Sequence, residues 1–242
     1  MKKIRRLITL ILGLDGLKVT RQVEDIQWGL RLQSLCMGSK WFRGGAYPGG
    51  WAVGFPFLCV LYRVLDEFKP ASILELGLGQ STKMTTSYMK SGLNTEAKVH
   101  FIVEHDKEWA EFMKNSVDFI KSKLILLPLV QKEYKGSTGM SYDKFSDVTG
   151  IEKYELILID GPFGSEGEFS RVDILSIVPN CLADNFVIMV DDTERRGEKN
   201  MCNELCKILK KKNIDYVSSD YGGVKNFMVI ASKSRRFACS MN

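Results

Sequence analysis

The residues of this sequence best suited to chemistry are acids at the ends of short apolar runs. Ser72-Ile73-Leu74 leads into Glu75, and Leu76-Gly77-Leu78-Gly79-Gln80-Ser81-Thr82 follows. Two glycines stand at alternate positions, ahead of small hydroxyl residues that open a helix-like segment. A strand that stops at such a turn lets a ligand lie against bare main chain, because glycine has no Cβ. A second apolar run, His100 to Val103, ends in Glu104, with His105 next. That distance resembles the acid-after-second-strand spacing of nucleoside-binding α/β units. The two segments together point to a site for a nucleoside-bearing cofactor. Each has a plainer reading: Gly77 and Gly79 serve a tight turn, and Glu104 is an acid at a helix N-terminus. Two later runs also end in acids, Leu156–Ile159 in Asp160 and Phe186–Val190 in the pair Asp191-Asp192.

These acids need a framework that gathers strand ends. The pattern predicts strands over 72–75, 100–104, 123–127, 156–160, 186–190, 215–218 and 227–231, with helices over 81–91, 106–121, 167–180 and 197–212. Such alternation implies a parallel sheet covered on both faces. Only residues 219–226 separate the last two strands, too few for a helical crossover, so these two should be antiparallel. Ligands of open α/β sheets lie beyond the carboxyl ends of the strands, where the acids fall. Ahead of the sheet, residues 1–40 read as helical and Gly44–Trp51 as a breaker-rich loop. A further helix over residues 57–68 ends at Lys69-Pro70. Residues 1–50 thus form a helical extension with a glycine-rich loop, and 51–242 a cofactor-binding α/β domain.

Composition narrows the classes. The 242 residues carry 45% hydrophobic and 26% charged side chains, as in an ordinary globular protein. The net charge of +5 comes in basic groups at Lys2-Lys3, Arg5-Arg6, Lys210–Lys212 and Arg235-Arg236. They read as solvated faces and tails, and with no aromatic-rich reading motif beside them no nucleic-acid partner is expected. Cys36, Cys59, Cys181, Cys202, Cys206 and Cys239 contain no CxxC pair, which fits reduced thiols in a cytoplasmic protein. With His100 and His105 the only histidines, a His-rich metal centre is excluded. Residues 7–14 are almost wholly apolar after the basic start, but far short of the roughly 20 needed to span a bilayer. Asp15 interrupts them, and no small-x-small cleavage site follows. Two readings stay open: a basic amphipathic helix in peripheral contact with an anionic membrane, or a helix packed on the protein or on a second subunit of an oligomer.

Over roughly residues 52–232 the chain resembles the class I S-adenosylmethionine-dependent methyltransferases. The likeness rests on Glu75-Leu76-Gly77-Leu78-Gly79, Glu104, the stretch Tyr154–Pro162 and the terminal hairpin. It implies a Rossmann-like, seven-stranded, mostly parallel sheet with an antiparallel last strand and helices on both faces. It also implies S-adenosylmethionine as cofactor, held by Glu75, Gly77, Leu78, Gly79, Ser81, Glu104, His105 and Asp160. By that likeness Gly77 and Gly79 let the main chain approach the cofactor, and Glu75 supports the loop and the positive methionine end. Glu104 accepts the ribose hydroxyls, and His105 borders the adenosine. A sulfonium without phosphate wants carboxylates and permissive backbone. Ser81 replaces the third glycine of a dinucleotide fingerprint, which disfavours NAD.

The acid followed by an acid pair resembles the metal-dependent O-methyltransferases of the catechol and caffeoyl-coenzyme A type. Asp160, Asp191 and Asp192 match their ligands for a hard cation such as Mg²⁺, which lowers the pKa of an acceptor hydroxyl. Two departures stand out. Gly161-Pro162-Phe163-Gly164 follows Asp160 where those enzymes carry a lysine base, and the pair is Asp-Asp, trailed by Arg195 and Arg196. An arginine there would neutralise the acids and leave a metal-free site, with Asp160 or Asp191 as general base. Asp192 has a capping role as its alternative. Arg43, Tyr47 and Trp51 offer a lid or acceptor wall, faced by residues 163–168. The expected activity is methylation of a hydroxyl on a small molecule or glycan. The competing reading is a binding or regulatory module that keeps the fold without turnover.

Overall fold

The structure, a computed structural model, describes residues 16–42, 45–96, 99–150, 152–164 and 167–241. The basic and apolar start at residues 2–14, Arg43, Gly44, Ser165 and Glu166 lie outside these. Among the described residues the helices are α1 (Gly16–Gly38), α2 (Phe55–Arg63, continued by a π turn, Val64–Phe68), α3 (Gln80–Ser91), α4 (Lys107–Met113), α5 (Phe145–Thr149) and α6 (Arg196–Lys211). The strands are β1 (Ser72–Leu76), β2 (Val99–Glu104), β3 (Lys123–Leu126), β4 (Leu129–Tyr134), β5 (Ser137–Tyr142), β6 (Tyr154–Ile159), β7 (Leu182–Asp191), β8 (Tyr216–Tyr221) and β9 (Phe227–Ser232).

Seven strands form one sheet in the order β3-β2-β1-β6-β7-β9-β8. The first five run parallel, while β9 is antiparallel to both β7 and β8. The short 222–226 connection forces that reversal. Successive residues of the central strands feed opposite layers. Ile73, Leu156 and Val187 pack with Phe57, Leu61 and Leu65 of α2 on one face. Leu74, Ile157 and Ile188 pack with Met201 and Leu205 of α6 on the other. Trp28, Leu32 and Cys36 seat α1 against the first layer, whereas Val19, Val23, Ile26, Leu30 and Met37 face outward. No helix among the described residues is long and apolar enough to cross a membrane.

Three segments differ from the pattern expected of the sequence. The predicted helix over 106–121 stops at Met113, where Asn115-Ser116 favours turns. The predicted helix over 167–180 contains only a 3₁₀ turn at Val172–Ser176. Its entry residue Arg171 is left-handed and Pro179 bars continuation. The β4–β5 hairpin was not expected, since β4 has an almost fully exposed, polar sequence. Positive φ at both Lys135 and Gly136 gives the turn that matches strand twist.

The carboxyl edge of the sheet closes by main-chain contact. Gly77, at φ +96°, donates its N–H to the Val103 carbonyl at 2.9 Å. Asp160 donates its N–H to the Leu76 carbonyl at 2.9 Å. A Cβ on Gly77 would stand 3.1 Å from Gly161 N, and one on Gly161 2.9 Å from Gly77 Cα. Both the backbone angle and the space at Gly77 therefore demand glycine. Gly77→Ala is expected to cost about 1–3 kcal/mol, the scale of a residue forced into a disfavoured conformation. In a chain of this size that is a fall of about 2–12 °C in the midpoint of calorimetric unfolding; an unchanged midpoint would show that the two turns can separate freely.

Candidate functional site

A cleft of about 600 Å³ opens beyond the ends of β1, β2, β6 and β7. Its floor is Gly77, Leu78 and Gly79; its sides are Glu104, His105, Trp109, Tyr142, Asp160 to Gly164, Arg171, Asp192 and Arg195. Tyr47, Gly49 and Trp51 form one rim. The expected cofactor residues Gly77, Leu78, Gly79, Glu104, His105 and Asp160 thus meet in one cleft. Glu75 and Ser81 do not line it. Glu75 is buried behind α3, where it accepts hydrogen bonds from Ser81 Oγ and from Thr85 Oγ1 at 3.0 Å, with His100 Nε2 at 3.5 Å. These two residues brace the first turns of α3 from beneath.

Glu104 ties two loops together. Oε2 accepts from Leu78 N at 2.9 Å, and Oε1 accepts from His105 N at 2.6 Å and Asp106 N at 2.9 Å. His105 Nδ1 lies 2.8 Å from the same Oε1. A carboxylate offers about four acceptor positions, so the free one is on Oε2. Gly79 leaves the floor bare: a Cβ there would meet nothing within 4 Å.

Trp109 and Tyr142 were not singled out from the sequence. Trp109 Nε1 donates to the Leu78 carbonyl at 2.7 Å, and its ring stacks on Phe112 at 5.4 Å. Its signal was available: it lies one turn into α4, where its own N–H is capped by Asp106 at 2.9 Å. Tyr142 arrives on the unexpected hairpin. The Phe163 ring stands edge-on to His105 at 4.5 Å, and Trp51 is 90% exposed at the mouth. The rim leans on the floor through Tyr47 N, which donates to Gln80 Oε1 at 3.0 Å.

Oxygens of Asp160, Asp191 and Asp192 fall within 4.8 Å of one another. The decisive neighbour is Arg171, which carried no sequence signal. Its Nη2 donates to Asp192 Oδ2 at 2.8 Å and lies 3.4 Å from Asp160 Oδ1. Arg195 Nη1 is 3.0 Å from Asp192 Oδ2. Lys225 Nζ lies 3.3 Å from Asp192 Oδ1 and 3.6 Å from Asp191 Oδ2. Arg196 turns away to Glu168. Asp191 is buried and does not line the cleft; neither of its carboxylate oxygens has a hydrogen-bond partner among the described residues. Asp192 caps no helix with its side chain: α6 starts at Arg196, and its N-cap position is Arg195, without a side-chain cap.

Burial pushes Asp160 up to about 6, with Arg171 opposing and Asp192 assisting. Burial also holds Asp191 well above the carboxylate range, reinforced by Asp160 and Asp192. For Asp192 burial acts upward too, but Arg171, Lys225 and Arg195 together bring it below its ordinary value. A magnesium ion needs oxygen ligands at about 2.0–2.1 Å in octahedral array. Between Asp160 and Asp192 stands a guanidinium, and between Asp191 and Asp192 an ammonium. The donor set in this arrangement does not fit a divalent ion.

No family model and no curated protein matches the chain. Among solved structures, the S-adenosylhomocysteine-bound methyltransferase PaMTH1 of Podospora anserina is similar over 85% of this chain and 87% of its own, at 12% identity and TM-score 0.50. A methyltransferase from Geobacter sulfurreducens is similar over 85% of this chain and 88% of its own, at 13% identity and TM-score 0.46. The fold is that of the class I S-adenosylmethionine-dependent methyltransferases. In this methyltransferase fold the cleft lies at the switch between β1 and β6, where the strand order reverses.

Gly79→Ala separates the floor's fold from its openness. With no neighbour to displace, the substitution should leave the unfolding midpoint within about 2 °C of wild type. The added methyl group takes up open space over the floor, so a ligand resting on that main chain, with S-adenosylhomocysteine as the probe, should lose at least about tenfold in affinity by calorimetric titration. Equal affinity would place the ligand elsewhere.

Proposed function

We propose that this chain is an S-adenosylmethionine-dependent methyltransferase acting on a hydroxyl of a small molecule or glycan, with Asp160 as general base. One observation carries the reading: bare main chain at Gly79 lies between a carboxylate with a free acceptor position, Glu104, and a second carboxylate open to the cleft, Asp160. That combination suits a ribose at one end and a sulfonium at the other. When bound, the cofactor supplies a methyl group on positively charged sulfur.

The residues divide the work. Glu104 Oε2 accepts from a ribose hydroxyl, while its other bonds fix both flanking loops. His105, Trp109 and Phe163 give apolar and aromatic surface for the adenine. Asp160 sits under the region where cofactor and acceptor meet and takes the proton of the acceptor hydroxyl. Tyr47 and Trp51 present aromatic faces to a sugar or ring at the rim, and Arg195 adds a cation there. Holding both reactants in line supplies much of the rate gain, since effective molarities reach about 10⁵ M or more.

Calorimetric titration with S-adenosylmethionine, S-adenosylhomocysteine and NAD tests the cofactor. The first two should bind and NAD should not; binding of NAD alone would overturn the reading. Glu104→Gln should weaken S-adenosylhomocysteine by about 1.5–3 kcal/mol, the scale of a hydrogen bond to a charged group. Screening of hydroxyl acceptors then tests turnover, and a protein that binds the cofactor but methylates none of them would be the non-catalytic module. Because Asp160 must be ionised to accept a proton, activity should fall as pH drops through about 6. Asp160→Asn should abolish both the activity and that acid limb. An acid limb that survives the substitution would assign the proton to another group.

A further inference from the structure

We propose that Arg171 is the resident cation of the acidic triad, holding the place of a divalent metal and positioning Asp160 in the cleft wall. The role of Asp160 in methyl transfer rests on the reading above; the charge compensation does not. Four carboxylates gather where β6, β7 and α6 meet: Asp160, Asp191, Asp192 and Glu198, the last three buried. Buried charges persist only when paired and hydrogen-bonded.

Arg171 spends its whole donor fork on this junction. Nε donates to the Pro162 carbonyl at 3.2 Å and faces Glu198 Oε1 at 3.8 Å. Nη1 donates to the Asp191 carbonyl at 3.1 Å and reaches the Ile159 carbonyl at 3.5 Å. Nη2 serves Asp192 and Asp160, as above. One side chain thus binds the ends of both strands and the loop between Asp160 and Phe163. A planar guanidinium with five donors can do this; an ammonium cannot. The backbone supports the assignment independently. Arg171 (φ +54°) and Asp192 (φ +61°) are both left-handed. Non-glycine residues stay in that conformation when their surroundings over-determine it. Arg195 shares Asp192 Oδ2 with Arg171, and Lys225 completes the compensation at Oδ1.

The test uses Mn²⁺ as probe on the full chain, read by the electron paramagnetic resonance signal of free Mn²⁺ and by thermal shift. Wild type should show no Mn²⁺ binding that Asp192→Asn removes. Arg171→Ala should gain such a site, because the carboxylates lose their internal cation. Added guanidinium ion should compete with Mn²⁺ in that variant and restore its lost thermal stability, whereas Arg171→Lys should restore stability only in part. A wild-type Mn²⁺ site abolished by Asp192→Asn would overturn the proposal, and that arm needs no Arg171 variant to fold. A folded Arg171→Ala protein without a Mn²⁺ site would overturn it equally. Neither measurement involves methyl transfer, so their outcome is distinguishable from failure of the proposed activity.

Discussion

Main-chain contact between the turns after β1 and β6 is the constraint on which the site depends. Gly77 and Gly161 approach so closely that neither tolerates a Cβ without displacement. That contact draws the two strand ends together and turns the following segments apart. Gly79 and the first turn of α3 go one way, Phe163 and Gly164 the other, and the cleft is the space between. Glu104 extends the same logic to β2. Its carboxylate gathers amides from the β1–α3 loop and the β2–α4 loop, so the acid that lines the cleft also sets the spacing of its walls.

Beneath that wall a second constraint operates, one of charge. Three acids at the tips of β6 and β7 would repel one another in a poorly solvated place. The sheet answers with cations drawn from distant segments: Arg171 from the β6–β7 connection, Arg195 from the start of α6, Lys225 from the β8–β9 turn. Removing one partner of such a network costs far more than the net worth of the pair. The unequal sharing of these cations separates the acids. Asp192 takes three of them and stays ionised, while Asp160 and Asp191 are held toward protonation by burial. Of the latter two only Asp160 reaches the cleft.

The strands were legible because parallel strands buried on both faces read as unbroken apolar runs. Ile73-Leu74, Ile102-Val103 and Leu156–Ile159 are of that kind, and the short link before Phe227 gave the antiparallel ending. The β4–β5 hairpin escaped because exposed strands carry no such run. Residues 167–180 misled because a helix was expected to fill the gap between two parallel strands, whereas Pro179 and the left-handed Arg171 leave only a 3₁₀ turn there. In the site, Gly77, Gly79, Glu104 and Asp160 could be found from strand ends. Glu75 and Ser81 belonged to the same motif, yet the Glu75 side chain turns from β1 beneath α3, and Ser81, in the first turn of α3, points down to meet it instead of lining the cleft. Arg171, Lys225 and Tyr142 were illegible for a common reason. Arg171 and Tyr142 reach the cleft, and Lys225 the acids behind it, each from a separate loop or hairpin, and only tertiary packing reveals what each touches.

Asp191 and Asp192 show how little a local motif says about chemistry. Adjacent in sequence, they have pKa values displaced in opposite directions, and only Asp192 lines the cleft, because their neighbours differ. The central claim is that the opening above Gly79 receives an adenosyl sulfonium, and a crystal structure grown with S-adenosylhomocysteine tests it most directly. Density is expected over the Gly79 main chain, with the ribose at Glu104 Oε2 and the sulfur end toward Asp160. A ligand bound elsewhere, or a cleft left empty at saturating ligand, would contradict it.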